Sequence, residues 1–154
     1  FIKQIKNNQN VTVTDPTMTR FNITMDKALD LILRAIENGK GGEIFIPKLK
    51  AYKVGDMKDA IIQLINKNTE TEIIQVRPGE KYHESLISEN EIRNSFETDM
   101  DYILYEHESQ QYSTNNFEYE PSKLTDRYSS DKVELLSIDE LKNILINENL
   151  ISKL

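Results

Sequence analysis

The chain has 154 residues, with 19 Lys and Arg against 26 Asp and Glu, a net charge of −7. That is one domain's length, and 38% hydrophobic beside 29% charged residues supply a core and a well-solvated surface, which excludes a disordered tail. The acidic balance argues against a general binder of nucleic acid or anionic membrane, which needs a basic face, and the absence of cysteine excludes disulfides, thiolate nucleophiles and cysteine-type zinc sites.

No apolar run approaches the roughly 20 residues needed to cross a bilayer, so the chain reads as cytoplasmic. It opens at Phe1 inside an amphipathic pattern (Phe1, Ile2, Ile5), which gives the expectation that it is the later part of a longer protein.

Residues 1 to 8 read as the last turns of a helix, closed by the polar run Asn7 to Asn10. Val11 to Thr14 is β-branched throughout and predicts a short strand that Asp15-Pro16 ends. A loop follows to a second short apolar stretch at Phe21 and Ile23. Thr24 or Asp26 can then cap a helix whose Met25, Ala28, Leu29, Ile32, Ala35 and Ile36 keep the three-to-four spacing, with Gly39 where a C′ glycine belongs.

Beyond Gly41-Gly42, Glu43 to Ile46 predicts a strand stopped by Pro47, and Lys48, Lys50 and Lys53 read as a basic loop. Asp56 is a fitting N-cap for a helix carrying Met57, Ala60, Ile61, Leu64 and Ile65 on one face. Glu72 to Val76 is the next predicted strand. Ser88 with Glu91 forms a capping-box pattern for a short helix to about Phe96, and Asp101 to Tyr105 can be one more strand. From Glu106 to about Lys132 the chain is rich in Ser, Asn, Gln and Tyr without steady period, and it reads as an extended segment. Ser137 and Glu140 then cap a final amphipathic helix through Ile138, Leu141, Ile144 and Leu145.

Strand, helix, strand, helix, strand at these spacings predicts an α/β fold, with helices covering a small, partly parallel, mixed sheet. Ligands of such folds bind at the carboxyl ends of strands. Arg77-Pro78-Gly79-Glu80 stands there: a guanidinium can hold a phosphate by two hydrogen bonds while a carboxylate accepts from ribose hydroxyls. The competing reading is a Pro-Gly turn in which Arg77 and Glu80 pair with each other. Arg20 follows the first strand much as Arg77 follows the third, so two cations can converge on one ligand; by itself it reads as a solvated loop residue.

His83 beside Glu84 offers too few ligands for a metal, and packing against its loop is the stronger reading. The three lysines read as a solvated loop. Tyr119 and Lys123 have the spacing of a dehydrogenase Tyr-x-x-x-Lys pair, but that spacing works only on a helix, and Pro121 opposes one. No glycine-rich phosphate loop is present.

Thr12 to Phe21, Gly41 to Lys48 and Arg77 to Ser88 together resemble the C-terminal half of UDP-N-acetylglucosamine 4,6-dehydratases, extended short-chain dehydrogenase/reductase enzymes of bacterial polysaccharide biosynthesis. The resemblance covers about residues 1 to 105, and the tail is similar to the extra C-terminal segment of the capsular dehydratase/5-epimerase branch. It implies a Rossmann-like fold of which this chain is the C-terminal part, divided into a substrate-binding region, 1–105, and an extension with a terminal helix, 106–154. It further implies NADP bound in an N-terminal Rossmann half, oxidation at C4 of UDP-N-acetylglucosamine, loss of water across C5 and C6, and a UDP-4-keto-6-deoxy-hexosamine product. In this chain Arg20, Arg77 and Glu80 would hold the UDP moiety and Met18 would line the uracil or ribose pocket. The catalytic residues and the cofactor site would precede Phe1. The partners expected are the UDP-sugar, the N-terminal half and a second copy in a homo-oligomer. The alternative is a free-standing, non-catalytic module for UDP-sugar binding or for assembly.

Overall fold

In the computed structural model, which describes residues 1–105 and 119–151, the strands are two to five residues long. The expected single layer is replaced by four separate sheets among the described residues. β1 (Val11–Val13) runs parallel to β5 (Thr71–Ile73). β2 (Thr19–Phe21) is antiparallel to β4 (Ala51–Lys53), with Arg20 opposite Tyr52. β6 (Ser85–Ile87) pairs with β10 (Tyr128–Ser129). The largest sheet is antiparallel, with β3 (Glu43–Pro47) beside β8 (Asp101–Tyr105), then β7 (Ser95–Glu97) and β9 (Glu120–Pro121). The fold is thus mixed α/β, and its one parallel pair among the described residues is β1 with β5.

Among the described residues four α-helices complete it: α1 (Ile2–Lys6), α2 (Met25–Asn38), α3 (Val54–Ile65) and α4 (Ile138–Asn147). One core gathers Ile5, Val11, Val13, Ala60, Ile61, Leu136, Leu141 and Leu145, so α1, α3, α4 and the β1 edge close on each other. A second packs Ile46, Ile87, Leu104 and Tyr128. Tyr128 is held there by its phenol, which accepts from Leu49 N at 2.5 Å and lies 3.2 Å from the carbonyls of Pro47 and Leu49; burial pushes its pKa up to about 12.

The capping box on α4 is complete: Ser137 Oγ accepts from Glu140 N at 3.3 Å and the Glu140 carboxylate accepts from Ser137 N at 2.8 Å. The tail wraps the surface where it is described. Glu120–Pro121 extends the large sheet, Tyr128–Ser129 pairs with β6, and Leu135 bridges to Ala51; residues 106–118 of the predicted extended segment lie outside the described residues.

Several local expectations are corrected. Ala51–Lys53 is strand β4 and not loop, so α3 begins at Val54, with Asp56 inside its first turn. The predicted strand 72–76 is Thr71–Ile73. Ser88 and Glu91 do meet, but Ser88 donates through both its hydroxyl and its backbone to Glu91 Oε2. Only a 3-10 turn, Ile92–Asn94, forms before β7, because pairing of Phe96 with Ile103 overrides the local helix signal. Gly39 is the C-cap of α2 in extended, not left-handed, backbone; a side chain there would meet the Ala35 carbonyl at 2.5 Å.

α2 itself forms as expected, capped by Thr24 on Lys27 N, but its apolar stripe faces outward. Leu29, Ile32 and Ile36 are 51%, 54% and 72% exposed. The helix is fixed to the large sheet instead by Arg34, which bonds Asp101 at 2.6 and 2.8 Å. Among the described residues no helix is long and apolar enough to cross a membrane.

Candidate substrate pocket

The parallel pairing of β1 and β5 sends both strands out on the same side of the molecule, and the segments that follow them, Thr14 to Met18 and Ile74 to Glu80, enclose one cavity of about 760 Å³. The antiparallel β2–β4 pair forms its second wall, presenting Arg20 and Tyr52. This is the carboxyl-end location where α/β ligands bind.

All four predicted site residues line this cavity. Met18 is 1% exposed, and its sulfur lies 3.5 Å from Thr14 Oγ1 and 3.7 Å from an Arg20 Nη. Arg20 stands in strand β2 and not in a loop. Its Nη1 donates to the carbonyls of Thr19 and Tyr82 at 2.8 and 3.2 Å, and Glu80 and Glu84 stand 4.0 and 3.9 Å away. The guanidinium is thereby fixed by carbonyl acceptors and by carboxylates at the limit of ion-pair reach, which leaves donors for an anion.

Arg77-Pro78-Gly79-Glu80 forms the expected turn: Glu80 N donates to Arg77 O at 3.0 Å, and Gly79 has φ +83°, the backbone that a type II turn reserves for glycine. The two side chains do not pair. Glu80 instead accepts from Arg77 N at 3.2 Å and from Thr14 Oγ1 at 3.1 Å, so it braces the turn against the end of β1. The Arg77 guanidinium is exposed and has no partner among the described residues.

Sequence reasoning missed Thr14, which sits between Met18 and Glu80, and Tyr52, which stands opposite Arg20. The sequence signal for Tyr52 is the step from apolar Ala51 through Tyr52 to charged Lys53, which reading three lysines as a loop hides; in the structure the three are buried, half-buried and exposed. Two of those lysines are otherwise engaged: Lys48 pairs with Glu97 and lies over the Tyr102 ring, and Lys50 pairs with Glu134 and Glu140. His83 bonds Thr19 Oγ1 through Nδ1 at 2.8 Å. Among the described residues no three His, Asp or Glu side chains are grouped to hold a metal ion. Tyr119 and Lys123 flank strand β9 and are not on a helix.

Among the described residues no glycine-rich turn opens a helix to hold the NADP phosphates. Of the five glycines, Gly55 is the one that opens a helix, and a Cβ there would meet the Pro16 side chain at 2.9 Å. Its missing side chain admits the 15–18 turn, not a phosphate.

Residues 1–106 match the family model described as Polysaccharide biosynthesis protein. Relatives include the UDP-glucose 4-epimerase of Rickettsia rickettsii (strain Sheila Smith), 32% identical over 149 residues, covering 95% of this chain and 43% of the relative. The UDP-glucose 4-epimerase of Rickettsia bellii (strain OSU 85-389) is 33% identical, covering 96% and 44%. Among solved structures, the X-ray structure of Pen from Bacillus thuringiensis superposes with a TM-score of 0.82 at 31% identity, over 97% of this chain and 44% of that one. The chain spans less than half the length of these relatives. The family match extends across both pocket walls and the large sheet as far as the end of β8, and on it this chain belongs to the polysaccharide biosynthesis protein family.

Proposed function

We propose that this chain is the substrate-binding portion of an enzyme that modifies a UDP-sugar. The observation that carries the reading is the cavity at the ends of β1 and β5, where Arg20 and the unpartnered Arg77 face one space large enough for a nucleoside diphosphate sugar. Arg77 contacts the diphosphate, Arg20 and Glu80 order the polar wall around it, and Met18 and Tyr52 supply apolar surface for the base or ribose.

The sequence motifs favour a 4,6-dehydratase with 5-epimerisation acting on UDP-N-acetylglucosamine, with NADP held outside this chain. The names of the relatives favour a second reading, a 4-epimerase, which is an isomerase and not a lyase. The outward apolar stripe of α2 supports docking of an upstream half of the protein there. Incubating the complete gene product with UDP-N-acetylglucosamine and with UDP-glucose separates the readings. A product lighter by one water is the dehydratase outcome; a product of unchanged mass and altered C4 configuration is the epimerase outcome. No conversion of either sugar and no UDP binding by calorimetry would remove the substrate-pocket reading altogether.

A further inference from the structure

Ser130 lies in the C-terminal extension, far in sequence from the pocket, and is wholly buried. Its backbone N–H donates to the Glu84 carbonyl at 2.8 Å, and its hydroxyl accepts from Glu84 N at 2.9 Å. The same hydroxyl is 2.6 Å from Thr19 Oγ1 and 3.1 Å from the Thr19 carbonyl. One residue thus joins two segments that meet at the cavity: β2, which carries Arg20, and the stretch following the Arg77 to Glu80 turn.

The joint sits directly behind Arg20. Thr19 O accepts from both Ser130 and Arg20 Nη1, and Tyr82 O, two residues from Glu84, accepts from Arg20 Nη1 and from Thr19 N. Glu84 itself bonds Phe21 N at 2.8 Å and stands 3.9 Å from Arg20 Nε. Among the described residues, every acceptor around Arg20 except the Met18 sulfur and Glu80 is therefore part of the seam that Ser130 closes. Along a strand successive side chains point to opposite faces, so Thr19 meets the extension while Arg20 meets the cavity.

We propose that Ser130 is a positioning residue for Arg20, by which the C-terminal extension sets the spacing of the pocket's polar wall. This rests on the reading of the cavity as a UDP-sugar site. A buried hydroxyl with three such partners fixes its neighbours strongly, because Glu84 N loses its acceptor when it goes. Ser130 hydrogen-bonds to no side chain that lines the cavity, so its effect on binding is indirect and passes through the seam behind Arg20.

The test is UDP affinity measured by calorimetry on the complete gene product, with Ser130→Ala, Arg20→Ala and the double variant. The expected result is a loss of about five-fold or more in affinity for Ser130→Ala and almost no further loss when it is added to Arg20→Ala. Thr19→Val, which keeps the shape and removes the facing hydroxyl, gives the same pattern if Ser130→Ala fails to fold, and Thr19→Ser restores wild-type affinity. Equal losses from Ser130→Ala with and without Arg20 overturn the positioning role, as does unchanged affinity in a folded Ser130→Ala protein while Arg20→Ala is impaired. Full affinity in Arg20→Ala and Arg77→Ala together overturns the pocket reading, and the positioning role with it.

Discussion

Arg34 grips both carboxylate oxygens of Asp101, Nε at 2.6 Å from Oδ2 and Nη2 at 2.8 Å from Oδ1. The carboxylate is 2% exposed and the guanidinium side chain 28%, so the pair spans the boundary between sheet and solvent. The hydrogen bonds to Asp101 hold the Arg34 pKa above its ordinary value. Arg34→Ala leaves a buried carboxylate unpaired, and the expected cost is about 2–4 kcal/mol, less than for a fully buried pair because water reaches the Arg34 end. Thermal unfolding of the complete protein checks this, and Arg34→Lys should recover only part of the loss, since an ammonium cannot bond both oxygens in parallel. An unchanged midpoint for Arg34→Ala would show that α2 is held by something else.

The same helix turns its apolar stripe outward. Ile32 and Ile36 stand 54% and 72% exposed, beside Leu29 and Leu33 on the same side. If an upstream half docks there, Ile32→Lys in the complete protein should cost about 2–3 kcal/mol through lost burial. In the isolated chain the same change should lower self-association, seen by light scattering. Unchanged stability of the complete protein together with unchanged self-association of the isolated chain would mean that the stripe is not an interface.

These two predictions show where sequence reading stopped. The existence of α2 was legible from its spacing and its Thr24 cap, because helix formation is local; the direction of its apolar face was not, because periodicity states that a face is apolar and not which neighbour covers it. Likewise α4 followed from the Ser137 and Glu140 pair alone. The helix expected after Ser88 failed because Phe96 is claimed by a strand partner seven residues ahead, Ile103, a contact that no local pattern encodes. Arg20, Met18, Arg77 and Glu80 were named from the sequence and meet at one cavity, while Ser130 was missed because its importance lies entirely in two distant backbone segments.

Arg77 has no partner among the described residues, so its replacement by Ala should change stability by no more than about 0.5 kcal/mol. A charged hydrogen bond to a diphosphate contributes roughly 1.5–3 kcal/mol, so Arg77→Ala should weaken UDP binding by about ten-fold or more. Calorimetric titration beside a melting curve measures both. A large fall in stability would show that the guanidinium serves the fold, and unchanged affinity would remove it from the site.

Glu140 sits at the N-terminal cap of α4 with its carboxylate on Ser137 and on Lys50 Nζ, 3.2 Å away. Hydrogen bonds from the Ser137 backbone and hydroxyl, then from Lys50, lower its pKa from 4.5 to about 2. A carboxylate whose pKa falls on folding adds stability that is fully present above the unfolded value near 4.5 and is lost as pH drops toward the folded value near 2. Lys50 also holds Glu134 at 2.6 Å, so one ammonium ties two carboxylates of the extension beside β4. The melting midpoint of Glu140→Gln should therefore lie below wild type near neutral pH and converge with it as pH falls through this window. A gap that persisted unchanged at the acid end would mean that Glu140 acts through packing, because only a charged or hydrogen-bonded role of the carboxylate can be titrated away.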